Sequence, residues 1–140
     1  MRDLELMEAA LRAREAAYAP YSRFRVGAAL LSSDGTLYTG CNVENASYSL
    51  TNCAERVAFG KAVSEGMRSF SAIAIVGGCD DASDFSLCAP CGACRQVMAE
   101  FCNADFRILL GDPSHISVYT LAELLPFSFS LEKDQGGTSL

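Results

Sequence analysis

Cys53-Ala54-Glu55-Arg56 and Pro90-Cys91-Gly92-Ala93-Cys94-Arg95-Gln96 are the two stretches around which this chain is organised. Together they bring three thiols and one carboxylate. Cys91 and Cys94 have the two-residue gap of a chelating pair, and Cys53 lies 38 residues before Cys91. Zinc takes thiolates readily, and a catalytic zinc keeps three protein ligands and one open position. Glu55, two residues beyond Cys53, is placed to carry protons at such a position. An apolar helical stripe follows each stretch: Ala54, Val57, Ala58 and Ala62 after the first, Val97, Met98 and Phe101 after the second. Both ligand groups therefore fall at predicted helix starts. Strand-like runs lie before, between and beyond them, which predicts an α/β chain.

The helix starts have a chemical consequence. Unpaired backbone N–H groups there favour negative charge and lower a thiol's pKa, which holds thiolates ready for metal. Three thiolates on Zn²⁺ leave a net charge of −1 at the centre. Such a centre is a weaker Lewis acid than one with neutral ligands. Arg56, beside Glu55, is positioned to offset the charge by donating to a ligand sulfur.

Working outward, Leu4, Met7, Leu11 and Tyr18 share one helical face, with Asp3 as cap and Pro20 as stop. Phe24, Val26, Ala28 and Leu30 alternate as a strand. Asp34-Gly35 turns the chain, and residues 37–41 return as the second half of a hairpin. Asn42 to Asn52 is polar and aromatic without periodicity, and reads as a loop leading to Cys53. Gly66 closes the helix that Cys53 opens. Ile73 to Val76 is a buried strand ended by Gly77-Gly78. Residues 106–110 and 116–119 are further strands, separated by Gly111-Asp112-Pro113. Thr120 to Glu123 forms a capping box for a short helix ending near Pro126.

The pattern predicts a three-layer α-β-α fold with a mixed sheet of about five strands. The strand–helix–strand units favour parallel pairing, and the hairpin adds an antiparallel edge. Residues 1–130 read as a single domain. Residues 131–140 are polar and Gly-rich and read as a loose tail.

The chain has 140 residues, half apolar and a fifth charged, which fits one globular domain. A net charge of −6 without a basic cluster argues against a nucleic-acid partner. No signal peptide or membrane span is visible, so no membrane partner is expected. Seven cysteines without an export signal point to a reducing cytoplasm, where thiols more often serve metals than disulfides.

Other readings compete at several positions. Cys88 offers a fourth thiol that would close a structural zinc site, but closure would leave Glu55 without a task. A lone Cys-x-x-Cys can also serve redox chemistry, though that leaves the shared helix-start context of Cys53 unused. His115, the only histidine, follows a turn and reads as a surface residue. Phe24 on a strand is by default core. Cys41, Cys79 and Cys102 read as small buried apolar residues.

Taken together, the motifs resemble the small homotetrameric, zinc-dependent cytidine deaminase family. Beyond the two zinc stretches, the resemblance is carried by Ala19-Pro20-Tyr21-Ser22 with Phe24 and residues 26–30. Asn42-Val43-Glu44-Asn45-Ala46-Ser47-Tyr48 carries it further, as do Leu124-Leu125-Pro126 with Phe129. It covers nearly all of the chain except the last ten residues. Ala89 departs from the serine usual before Pro-Cys, Arg25 from a common proline, and Ser49 from a proline often found after the tyrosine.

The resemblance implies one zinc per subunit, held by Cys53, Cys91 and Cys94, with Glu55 as proton shuttle. It implies that Asn42 and Glu44 bind the ribose 3′-hydroxyl and that Phe24 stacks on the pyrimidine. The Ala54 backbone would read the base's polar edge. Phe129 would close a neighbouring subunit's pocket, and residues near Tyr48 would cross an interface. The implied reaction converts cytidine or 2′-deoxycytidine and water to the uracil nucleoside and ammonia, in pyrimidine salvage. A homotetramer with shared sites is expected.

Overall fold

Five runs of β-branched and small apolar residues form one sheet in the computed structural model, which describes residues 1–82 and 85–133. The strands are β1 (Phe24–Ser32), β2 (Leu37–Cys41), β3 (Phe70–Cys79), β4 (Arg107–Asp112) and β5 (His115–Thr120), in the order β2-β1-β3-β4-β5. The expected mixed sheet of five strands is thus present. The pairing is less parallel than expected, because only β3 and β4 pair that way. β2 and β3 do run in the same direction across the helical connection. Their antiparallel hairpin partner, β1, stands between them and takes the ladder hydrogen bonds of both.

Side-chain alternation divides the core into two layers. Ala28, Leu30, Ile73, Ile75, Ile108 and Leu110 face α2 (Ala54–Ser64), α3 (Gly92–Phe101) and α4 (Leu121–Leu124). Phe59 sits at the centre of this layer, with Phe70, Phe101 and Phe106 around its ring. Ala29, Ala72, Ala74, Val76 and Leu109 face α1 (Asp3–Arg14) on the other side. That face is built from small residues, so α1 lies close to the sheet. A Cβ at Gly27 would come within 2.1 Å of the Ala10 carbonyl oxygen. Gly40 does the same for α2: a Cβ there would lie 2.4 Å from the Ala54 carbonyl oxygen. This close approach seats the start of α2, and hence Cys53 and Glu55, against β2.

Several local expectations are corrected. α1 ends at Arg14, well before Pro20, and buries Leu6, Met7, Ala9, Ala10 and Arg14. Leu4 is exposed, and Tyr18 lies beyond the helix in a bridge to Val43. Arg2, with Glu5, occupies the cap, while Asp3 pairs with Arg107 at 3.0 and 2.7 Å. At the last residue of the helix, the Arg14 guanidinium turns inward to the carbonyls of Arg25, Gly78 and Cys79.

Gly77-Gly78 does not end β3, which pairs with β1 through both glycines as far as Cys79. Their missing side chains leave room for the chain that follows. A Cβ at Gly78 would meet the Phe85 ring at 2.7 Å, and one at Gly77 would meet the Cys88 sulfur at 2.6 Å. Cys79 is exposed, and Cys41 and Cys102 are half-buried, so none is fully enclosed. Gly66 does close α2 in the left-handed region, with φ of +96°. Thr120 and Glu123 form the expected capping box, and His115 is exposed. Most of the tail expected from residue 131 lies outside the described residues.

Candidate active site

The two decisive stretches meet on one side of the sheet. Cys53 is the N-cap of α2 and Cys91 the N-cap of α3, and neither thiol is used as a cap acceptor. Cys94 is buried one turn into α3. The sulfur atoms of Cys53 and Cys91 are 3.8 Å apart, and those of Cys91 and Cys94 are 3.4 Å apart. All three lie within 4.8 Å of one another. A tetrahedral zinc with Zn–S bonds of about 2.3 Å requires sulfurs about 3.8 Å apart, so the residues fit the ion. Among the described residues this is the only such ligand cluster. Cys88 is not part of it, so the four-thiol structural reading is not supported.

The thiols are not equivalent. The neighbouring Cys94 thiol, with Arg56 and Cys91 and against the cost of burial, lowers the Cys53 pKa to about 5. The Cys94 thiol is pushed upward by its nearness to Cys53 and by burial. Arg56 reaches Cys53 Sγ with Nη2 at 3.5 Å and the Thr51 carbonyl at 3.4 Å. The Arg56 guanidinium is therefore directed at a candidate ligand sulfur. Its buried Nε has no acceptor among the described residues.

Glu55 lies in the first turn of α2 and is 5% exposed. Burial pushes its carboxyl up to about 7, partly offset by a backbone N–H and reinforced by the charge of Cys53. A group balanced near neutrality both takes and returns protons. Cys88 is half-buried, and its thiol is raised to about 11, first by burial and then by the charges of Glu55 and Cys53.

The remaining candidates are spread over β1, the segment after β2, the start of α2 and the chain beyond α4. Phe24 opens β1 and is 39% exposed, so it is not the core residue its strand position predicts by default. Asn42 is buried, and its side-chain amide accepts from the Val26 N–H and donates to the Phe24 carbonyl, both at 2.8 Å. Glu44 is buried and accepts from the backbone N–H groups of Tyr21 and Ser22 at 3.0 and 3.2 Å, and from the Ser22 hydroxyl. These bonds hold its carboxyl below the usual range. Ala54 is fully buried at the start of α2. Tyr48 lies exposed in the short 3₁₀ turn Tyr48–Leu50, edge-on to Tyr21. Phe129 is exposed, and its carbonyl accepts from Gln96 on α3.

Sequence reasoning missed the supports behind these groups. Tyr21 and Ser22 hold Glu44, but their contribution comes largely from backbone N–H groups, which leave no sequence signal. Arg14 reads as a surface cation at a helix end. The Gly77-Gly78 pair was visible, and glycine inside a strand run can mark a close approach rather than an end.

Three thiols at paired helix starts beside a buried carboxyl fit the site of a zinc-dependent hydrolase. The comparisons agree. A family model described as "Cytidine and deoxycytidylate deaminase zinc-binding region" matches residues 1–110. The cytidine deaminase of Sporosarcina psychrophila is 54% identical over 129 residues, covering 91% of each chain. That of Halalkalibacterium halodurans is 55% identical over 128 residues, covering 91% of this chain and 93% of the relative. The crystal structure of cytidine deaminase from Burkholderia pseudomallei superimposes with a TM-score of 0.83 at 48% identity. It covers 92% of this chain and 100% of that one. The chain belongs to the cytidine and deoxycytidylate deaminase family.

Proposed function

We propose that the chain removes the C4 amino group of cytidine and 2′-deoxycytidine by hydrolysis, releasing ammonia and the uracil nucleoside. The observation that carries this reading is the cluster of three sulfurs, all within 4.8 Å of one another, at the helix start that also bears the buried Glu55 carboxyl. Cys53, Cys91 and Cys94 hold one zinc per subunit. When bound, the zinc supplies a Lewis acid that makes a water acidic enough to serve as nucleophile. Glu55 accepts a proton from that water and delivers it to N3 of the base. It then passes the second water proton to the leaving amino group. The carbonyl oxygen of the product comes from water, and the C4–N4 bond breaks. Arg56 keeps the Cys53 sulfur from passing its full negative charge to the metal.

Phe24 stacks on the pyrimidine, and the Ala54 backbone reads its polar edge. Asn42 and Glu44 hold the 3′-hydroxyl, supported by a Glu44 carboxylate fixed in its charged form. With the sugar held by that hydroxyl, the 2′ position is not discriminated. Residues 1–130 form the deaminase domain. The active unit is a cytoplasmic homotetramer in which Phe129 and the Tyr48 region complete neighbouring sites. In support of an oligomer, Phe127, Phe129 and Leu131 are all exposed beyond α4. Ammonia release from cytidine, deoxycytidine, cytosine and cytidine monophosphate tests the reading. The two nucleosides should be turned over at similar rates and far faster than the others. Release from free cytosine equal to that from cytidine would contradict the sugar handle.

A further inference from the structure

The strand glycine Gly77 sits beneath two side chains that come from different parts of the chain. A Cβ there would lie 2.6 Å from Cys88 Sγ, 3.0 Å from Cys88 Cβ and 3.0 Å from Cε1 of the Phe24 ring. The thiol and the ring edge therefore share one niche over bare backbone. Phe24 and Gly77 belong to adjacent strands: Phe24 pairs with Cys79, and Val26 pairs with Gly77. Cys88 reaches the niche from the segment that leads into Cys91. Only Ala89 and Pro90 separate Cys88 from Cys91, which keeps the thiol near the metal-ligand end of the site.

We infer that Cys88, packed over Gly77 against the edge of Phe24, is a specificity-determining residue that sets the width of the pyrimidine slot beside C5. The inference rests on the reading that Phe24 stacks on the base. In that reading, C4 and N3 face the metal ligands and Glu55, and N1 carries the sugar held by Asn42 and Glu44. C5 and C6 are the ring positions left without a partner. C5 adjoins C4, at the end of the base where Cys88 stands. Gly77 provides the depth in which the sulfur and the ring edge lie side by side. A larger residue at 77 pushes both toward the substrate, and a smaller one at 88 leaves space for a substituent on the base. A difference of one methyl-sized group in an apolar slot changes discrimination by about 10-fold or more.

The test measures kcat and KM for cytidine and 5-methylcytidine with the parent zinc enzyme and with Cys88→Ala, Gly77→Ala, the double variant and Phe24→Ala. Cys88→Ala should raise the kcat/KM ratio of 5-methylcytidine to cytidine by about 10-fold. Gly77→Ala should raise the KM for cytidine about 10-fold with a smaller effect on kcat, because stacking is lost equally from bound substrate and transition state. Adding Cys88→Ala to Gly77→Ala should lower that KM again, since the sulfur is the nearest of the atoms the new methyl group meets. An unchanged substrate ratio in Cys88→Ala, with a raised KM in Phe24→Ala, overturns the role of Cys88 while leaving the stacking reading intact. A parental KM in Phe24→Ala would instead show that the base does not lie against Phe24, and would overturn both. If Gly77→Ala fails to fold, Cys88→Ala alone decides the matter.

Discussion

Arg56 Nη2 lies 3.5 Å from Cys53 Sγ, so a permanent cation touches one of the three candidate zinc ligands. Hydrogen bonds to charged groups contribute about 1.5–3 kcal/mol. Removing this one returns electron density to the sulfur and makes the centre a poorer Lewis acid. Arg56→Gln should therefore keep zinc but lose roughly 10- to 100-fold in kcat at neutral pH. Activity should recover partly at higher pH, where a less acidic water is still ionised. A pH–rate profile with parallel zinc analysis checks this, and an unshifted profile would remove Arg56 from the account.

Glu55 gives a stability prediction whose sign follows from its burial. Its carboxyl pKa rises from 4.5 to about 7 in the folded chain, so the folded state binds the proton more tightly than the unfolded state does. Its contribution to stability is therefore greatest below pH 4.5 and is lost as pH rises through about 7. Glutamine carries no charge to bury. In zinc-stripped protein, Glu55→Gln should be more stable than the parent at pH 8 by up to about 3 kcal/mol, and the two should converge near pH 4. Urea unfolding at the two pH values measures the difference. Equal stability at pH 8 would mean that the parent carboxylate is not desolvated.

The sugar assignment predicts how analogues behave. Asn42 and Glu44 are fixed by neighbouring backbone groups, which keeps their remaining lone pairs oriented. Cytidine and 2′-deoxycytidine should be similar substrates. The 2′,3′-dideoxy analogue loses a hydrogen bond to a charged group, and its kcat/KM should fall roughly 10- to 100-fold. Equal use of the dideoxy analogue would refute the assignment.

Exposed aromatics beyond α4 lead to a subunit-mixing prediction. Phe127 and Phe129 have little cover within their own chain. If Phe129 completes a neighbour's pocket, mixing Phe129→Ala chains with Glu55→Gln chains can place both defects in one site and free another of both. Activity of the mixture should exceed the sum of the unmixed variants. Full activity in a dilute sample shown to be monomeric would exclude a shared site.

The legible part of this molecule was the part written in local pattern. Helix starts at Cys53 and Cys91, the Asp34-Gly35 hairpin and the Thr120–Glu123 capping box each depend on residues close in sequence. The three sulfurs converge because those helix starts lie on one side of the sheet, as the motif spacing implied. What could not be read depended on distant packing. The last residue of α1, Arg14, is buried by bonds to carbonyls of β1 and β3, more than sixty residues away in the latter case. Gly77-Gly78 read as a strand end, although the glycines are there to admit Phe85 and Cys88 from a later segment. Parallel pairing was expected from helical connections, but the strand that separates β2 from β3 is fixed by the whole sheet.

The most direct test of the central claim is the turnover of cytidine by Glu55→Gln at zinc content matched to the parent. The substitution keeps the side chain's shape and removes the group that takes and returns the proton. With about one zinc per chain in both proteins, kcat should fall by at least ~10²-fold while the fold is retained. Near-parental turnover in the zinc-loaded variant would contradict the account, because the proton would then be handled by a group other than Glu55.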